Sequence, residues 1–317
     1  MKYVFGPVPS RRLGQSLGID PVPLKTCNWN CVYCQLGHSR PLTNKRKLFI
    51  PPEDILTEVR QALDERAPGK IDWVTFVGSG ETCLHSQLGW LIRQVKQMTD
   101  LPVAVITNGS LLYLPEIRTE LSAADAVLPS LDAGNLKLYR RINRPHPDIS
   151  FKRLVDGLVA FRDEYQGKLW VEVMLVRGLN DSEEALHEIA SILERVQPDQ
   201  VHLLLPSRPP AEPWVEPTDA EGLMRAQAIL GQSAQVVTPA HGEISISPEE
   251  GLKEALLGII TRHPLCEDEL PALLGGARAV EALSALENLR ECKQAQVVER
   301  YGLRFWSAAG AHYPDVN

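Results

Sequence analysis

Short apolar, β-branched runs alternate along the chain with segments in which apolar residues recur at helical period. Residues 16–19 predict a short strand leading into a cysteine-containing loop, and 52–65 a helix with Ile55, Val59, Ala62 and Leu63 on one face. Strands follow at 73–77, 103–106, 126–131, 170–176 and 201–205, and helices at 88–98, 114–121, 151–162 and 182–196. Six strands alternating with helices predict an α/β fold with a parallel sheet and crossover helices. In such sheets, functional residues gather where strands end at their carboxyl sides. Those ends carry the cysteine loop and residues 78–81, 107–109, 130–132, 177–181 and 206–208.

A proline-rich stretch at 206–217 interrupts the alternation, and a helix is expected at 218–230. Beyond Pro248 the pattern changes. Helices are expected at 252–262, 267–274 and 277–290, with a Gly275-Gly276 turn before the last and Val280, Leu283, Leu286 and Leu289 along one side of it. A hairpin of 296–299 and 303–306 around Tyr301-Gly302 completes what reads as a winged-helix arrangement. Residues 1–248 and 249–317 are therefore expected to form two domains. No internal repeat or low-complexity tract is present.

No apolar run approaches the roughly 20 residues that span a bilayer, and residues 1–12 lack the apolar core of a secretory signal. A cytoplasmic protein without membrane contact is expected. Six cysteines in 317 residues do not make a disulfide framework, but three of them cluster at 27, 31 and 34. The net charge of −7 conceals an asymmetry. Residues 1–50 carry eight Lys or Arg against Asp20 alone, whereas 249–317 carry seven cations against eleven acids. A second basic stretch holds Lys137, Arg140, Arg141, Arg144, Lys152 and Arg153 against Asp148. Basic residues beside a cleft concentrate anionic ligands, so an anionic substrate is expected, with RNA as a candidate. The acidic C-terminal part is a poor surface for phosphates and is expected to contact protein and not DNA.

The cysteine loop reads Cys27-Asn28-Trp29-Asn30-Cys31-Val32-Tyr33-Cys34. Three thiolates can hold three irons of a cubane and leave the fourth open, since protein clusters otherwise take four cysteines. His38, three positions beyond Cys34, leaves a Cys3His zinc site as an alternative. With Gly78-Ser79-Gly80-Glu81 after the next strand, the loop resembles the radical S-adenosylmethionine (SAM) superfamily over about residues 13–208. The opening residues 5–14, Leu17-Gly18-Ile19-Asp20 and Cys31-Val32-Tyr33-Cys34-Gln35-Leu36-Gly37 are similar to a bacterial and archaeal group related to the wyosine-base-forming, tRNA-modifying radical SAM enzymes. Where that group tends to continue the glycine–glutamate motif with Pro-Thr, this chain has Thr82-Cys83.

The resemblance implies a partial (β/α)6 barrel with a [4Fe-4S] cluster on Cys27, Cys31 and Cys34. It also implies SAM held beside Gly78, Ser79, Gly80 and Glu81, the last accepting from the SAM ammonium. Tyr33, Asn108, Ser130 and Asp132 are implied as further cofactor contacts. One electron, from a donor such as flavodoxin or ferredoxin, would cleave SAM to a 5′-deoxyadenosyl radical that abstracts hydrogen from the substrate. The other classes in play are a zinc-stabilised winged-helix regulator that binds nucleic acid and a cluster-bearing redox sensor without turnover. Cys83, Cys266 and Cys292 are expected to be structural, and His85 and His202 structural or substrate-lining and not metal ligands. Lys25 and Arg208, each taken alone, are expected to be surface cations.

Overall fold

A computed structural model describes residues 1–65, 69–238, 242, 244 and 251–313. The boundary expected between residues 248 and 249 lies outside the described residues, as do Glu249, Glu250 and Asp315 of the acidic C-terminal part.

The chain opens with an antiparallel hairpin of β1 (Val4–Ser10) and β2 (Gly14–Ile19). Helices and strands then alternate: α1 (Pro52–Asp64), β3 (Trp73–Phe76), α2 (Leu88–Met98), β4 (Val103–Thr107), α3 (Pro115–Leu121) and β5 (Ala126–Pro129). The series continues through α4 (Leu136–Ile142), α5 (Phe151–Glu164), β6 (Lys168–Met174), α6 (Glu183–Val196), β7 (Gln200–Leu204), α7 (Ala220–Leu230) and β8 (Ala234–Val236). The eight strands lie in sequence order in one sheet, and every pairing from β2 to β8 is parallel. The sheet ends at β1 and β8, as in a partial barrel.

Local chemistry accounts for these elements. Val103, Ala104 and Val105 of β4 are fully buried, as strands covered on both faces require. The helix α1 starts on Pro52 with Glu53 and Asp54 in its first turn, where a fixed φ and negative charge suit the helix N-terminus. Ser182 caps α6 by accepting from the Ala185 amide, and Leu186, Ile189, Leu193 and Val196 turn toward the sheet.

The six expected strands are all present as β2–β7. Two more flank them. β1 contains Gly6, Pro7 and Pro9, a composition an edge strand tolerates because one side of it needs no ladder donors. β8 has three residues, too few to show a period. The helix α4 was not expected either, because Lys137, Arg140 and Arg141 dominate its seven residues.

The C-terminal part comprises α8 (Leu252–Arg262), β9 (Leu265–Cys266), α9 (Leu270–Leu274), α10 (Gly276–Glu291), β10 (Ala295–Arg300) and β11 (Leu303–Ala308). The helix expected at 267–274 is divided. A 3-10 turn at Glu267–Glu269 precedes a short α9 that carries Pro271 in its first turn. The hairpin of β10 and β11 is extended by β9 into a three-stranded antiparallel sheet. Leu256, Ile260, Leu270, Leu286 and Trp306 form a separate core here, against which Val8 of β1 packs. No described helix is long and apolar enough to cross a membrane.

Candidate functional site

The cysteine loop is stitched to the segment that follows β3. The Lys25 amide donates to the Ser79 carbonyl at 2.6 Å, and the Glu81 amide donates to the Thr26 carbonyl at 2.8 Å. The approach is so close that a Cβ on residue 80 would stand 1.9 Å from the Thr26 carbonyl oxygen. Only glycine fits there, and the cysteine loop and residues 79–81 form one surface.

Cys27, Cys31 and Cys34 are all partly exposed and carry no disulfide. Each sulfur faces a donor. Lys25 Nζ lies 3.1 Å from Cys34 Sγ, the Trp29 amide 3.4 Å from Cys27 Sγ, and Asn143 Nδ2 3.7 Å from Cys31 Sγ. Burial pushes the Cys27 thiol up to about 12, against the opposing pull of Lys25, and pushes the Cys31 thiol well up. Burial opposes the charge on Lys25, but Cys34 and Cys27 together hold its pKa above the ordinary value. Desolvated thiols with hydrogen-bond donors aimed at sulfur fit a cationic iron–sulfur centre, because a coordinated metal deprotonates its thiols outright.

The alternative zinc ligand does not join them. His38 Nδ1 is 3.3 Å from Asn30 Oδ1, and its Nε2 is 3.6 Å from Glu212. Among the described residues no three His, Cys, Asp or Glu side chains, Cys27, Cys31 and Cys34 included, are drawn together around a single ion.

The glutamate of the glycine segment is 2% exposed. Its Oε1 accepts from the Cys83 amide at 2.9 Å and from Thr107 Oγ at 2.6 Å, and its Oε2 accepts from the Asn108 amide at 2.7 Å. Burial raises the Glu81 pKa, and these donors oppose the rise. Glu81, which the family resemblance implies as an acceptor for an ammonium, thus also clamps residues 78–81 to the end of β4. Each buried donor left unsatisfied costs about 1–3 kcal/mol. Glu81→Ala should therefore lower the unfolding free energy by at least that much in urea titration. An unchanged midpoint would show that the clamp contributes nothing.

Asp132 is likewise buried. Its Oδ2 accepts from Tyr33 Oη at 2.5 Å and Asn143 Nδ2 at 2.6 Å, and its Oδ1 accepts from the Met174 amide at 2.8 Å. Tyr33, Asp132 and Asn143 thus form one network under Cys31. Asn108 donates to Asn28 Oδ1 at 2.7 Å and approaches Cys27 Sγ at 3.9 Å. Ser130, at the end of β5, bridges to Glu172 of the adjacent strand. Of the residues expected to be structural, Cys83 is buried with its thiol 3.4 Å from Thr107 Oγ. His85 is buried, with Nε2 3.0 Å from the Ile50 carbonyl oxygen.

The sequence did not reveal how the C-terminal unit reaches this site. Asp20, at the end of β2, accepts from Ser79 Oγ at 2.6 Å and from Arg262 Nε, in the last turn of α8, at 2.8 Å. Arg262 also donates to the Lys2 carbonyl at 2.6 Å and lies over the Phe5 ring. A second tie joins the far end of the cysteine loop. The His38 amide donates to the His312 carbonyl at 3.0 Å, and Tyr313 Oη donates to the Gln35 carbonyl. Gly37 sits there at φ 72°, where an added Cβ would stand 1.9 Å from the His312 carbonyl oxygen.

A family model described as the Radical SAM superfamily matches residues 22–190. The chain is 35% identical over 279 residues to a UPF0026 protein of Methanocaldococcus jannaschii, covering 86% of each chain. It is 43% identical over 266 residues to a Brachyspira hyodysenteriae protein named GTPase Obg, covering 83% of this chain but only 39% of that longer one. A radical SAM methyltransferase from Sphaerobacter thermophilus is similar in fold, with a TM-score of 0.52 and 18% identity over 70% of this chain and 66% of that one.

Proposed function

The chain belongs to the radical SAM superfamily, and from that premise we propose that it cleaves SAM reductively at a [4Fe-4S] cluster and uses the resulting radical on an anionic substrate. The observation that supports this most is the stitching of the three-cysteine loop to residues 79–81, with a donor facing each sulfur. Cys27, Cys31 and Cys34 would hold the cluster. When bound, the cluster would supply one electron to the SAM sulfonium, breaking its S–C5′ bond to give methionine and the 5′-deoxyadenosyl radical.

The chain's own residues bind and orient. Lys25 sets a fixed positive charge against Cys34. Gly78, Ser79 and Gly80 form the wall for the SAM amino group, with Glu81 fixing that wall to β4. Asn108, Ser130, Asp132 and Tyr33 line the remaining strand ends, where Asp132 keeps Tyr33 in place. An electron donor of the flavodoxin or ferredoxin type completes the system. The test is anaerobic reconstitution with iron and sulfide, followed by SAM and a reductant. A brown protein that forms 5′-deoxyadenosine supports the proposal, and a colourless or inert one removes it.

The C-terminal unit, with its helix, short strand, two helices and hairpin, is read as a winged helix that contacts protein. Arg262 and Tyr313 turn it toward the cysteine loop. RNA remains the candidate substrate, because Lys137, Arg140 and Arg141 of α4 are presented within seven residues and all three are exposed. Arg144 is different: it pairs with Glu212. The double variant R140E/R141E should weaken RNA binding, and the parent's binding should fall steeply with salt. Equal retention of RNA by variant and parent in a filter-binding titration would contradict this role for α4.

A further inference from the structure

Three arginines from distant parts of the sequence meet beside β6. Arg11 and Arg12 occupy the turn between β1 and β2, and Arg208 follows β7. Arg12 Nη1 lies 2.8 Å from Oε1 of Glu172, a buried carboxylate of β6, in a contact without hydrogen-bond alignment. The buried Nε of Arg12 has no partner. Arg11 reaches only Ser207 Oγ, at 3.5 Å, and Arg208 Nε donates to the Pro264 carbonyl at 2.8 Å. No other side-chain hydrogen bond from these three arginines is formed among the described residues.

The charges are poorly compensated. Burial lowers the Arg208 pKa to about 10, and the like charge of Arg11 adds to the effect. Burial also lowers the Arg11 pKa, with Arg12 contributing. His263, from the C-terminal unit, is pushed well down by burial and then by Arg208, Arg11 and Arg12, and so stays neutral. Among the described residues, one buried carboxylate, Glu172, stands against the three guanidinium groups; Glu269 is exposed. Uncompensated charge of this kind is costly inside a protein, and guanidinium forks match the oxygen geometry of phosphate and carboxylate.

The place matters as much as the charge. Glu172 bridges to Ser130, and its carbonyl accepts from the Leu131 amide at 2.8 Å, one residue from Asp132 and the network under Cys31. We propose that Arg11, Arg12 and Arg208 form a binding site for a phosphate monoester group of the substrate, at the interior flank of the cysteine site. This rests on the radical SAM reading of that site and gives its anionic substrate a point of attachment. Three positive charges less that of Glu172 leave an excess that a phosphate monoester, at about −1.5 to −2 near pH 7, neutralises better than a carboxylate.

Inorganic phosphate is the probe, titrated calorimetrically into the reconstituted full-length protein at constant ionic strength, with acetate as the competing arm. The parent should bind phosphate saturably with a Kd of about 1 mM or tighter. R11Q and R208Q should each weaken it about tenfold or more. Because Arg12→Gln alone strands Glu172, the paired change R12Q/E172Q is used at that position, with thermal melts confirming the fold of every variant. Absence of saturable binding, unchanged affinity in both R11Q and R208Q, or acetate binding as tightly as phosphate would overturn the proposal. SAM cleavage by the parent, measured on the same preparation, tests the underlying reading separately. Its failure would leave a phosphate site standing, and its success would not rescue a phosphate site that fails to titrate.

Discussion

Replacing any one of Cys27, Cys31 and Cys34 by alanine is expected to abolish the visible absorbance of the reconstituted protein and its formation of 5′-deoxyadenosine. No other cysteine can take over. Cys83 is buried with its thiol against Thr107, Cys266 is buried in β9 of the C-terminal unit, and Cys292 is exposed at the end of α10. The three cysteines lie in a loop outside the strands and helices and are partly exposed as residues, so removing one should leave the sheet folded, as far-ultraviolet circular dichroism would show. Cys292→Ala should retain iron and activity. Full iron content and turnover in the triple alanine variant would separate these cysteines from the chemistry.

Arg262→Met is expected to destabilise the whole chain by about 3–5 kcal/mol, the cost of leaving a buried ion-pair partner alone. Asp20 and Arg262 are 3% and 9% exposed at their side chains. Burial already raises the Asp20 pKa, with Arg262 the first force opposing it. Without the guanidinium, the carboxylate either stays charged in a poor environment or takes a proton. Because Asp20 also holds Ser79 through Oγ and the amide, the loss should extend to SAM affinity. The double variant D20N/R262M removes both charges and should recover much of the lost stability in urea titration. Equal stability of Arg262→Met and the parent would show that the C-terminal unit is not coupled to the glycine segment through this pair.

The parts of this molecule legible in its sequence are those written in local patterns. Strands β2–β7 show as short apolar runs alternating with helices, and the cysteine loop stands out when its spacing is read together with Gly78-Ser79-Gly80-Glu81 after the next strand. The hairpin partner β1 was hidden by Pro7 and Pro9, which suit an edge but disguise a strand. The Asp20–Arg262 pair joins residues 242 positions apart, and no local periodicity encodes such a contact. Arg11 and Arg12 read as two more cations in a basic N-terminal stretch, and Arg208 as a surface charge. Only the fold brings them together around Glu172. Glu81 shows the limit differently. Its position after two glycines was visible, and the end of β4 was expected at the same mouth, but that Thr107 and the Asn108 amide donate to its carboxylate was not.

The most direct measurement is the yield of 5′-deoxyadenosine, by mass spectrometry, after the anaerobically reconstituted full-length protein is given SAM and a one-electron reductant. The radical SAM account predicts that the parent forms it and that Cys31→Ala does not. A parent protein that carries a full complement of iron and sulfide yet forms none, or a Cys31→Ala variant that forms as much as the parent, would contradict it.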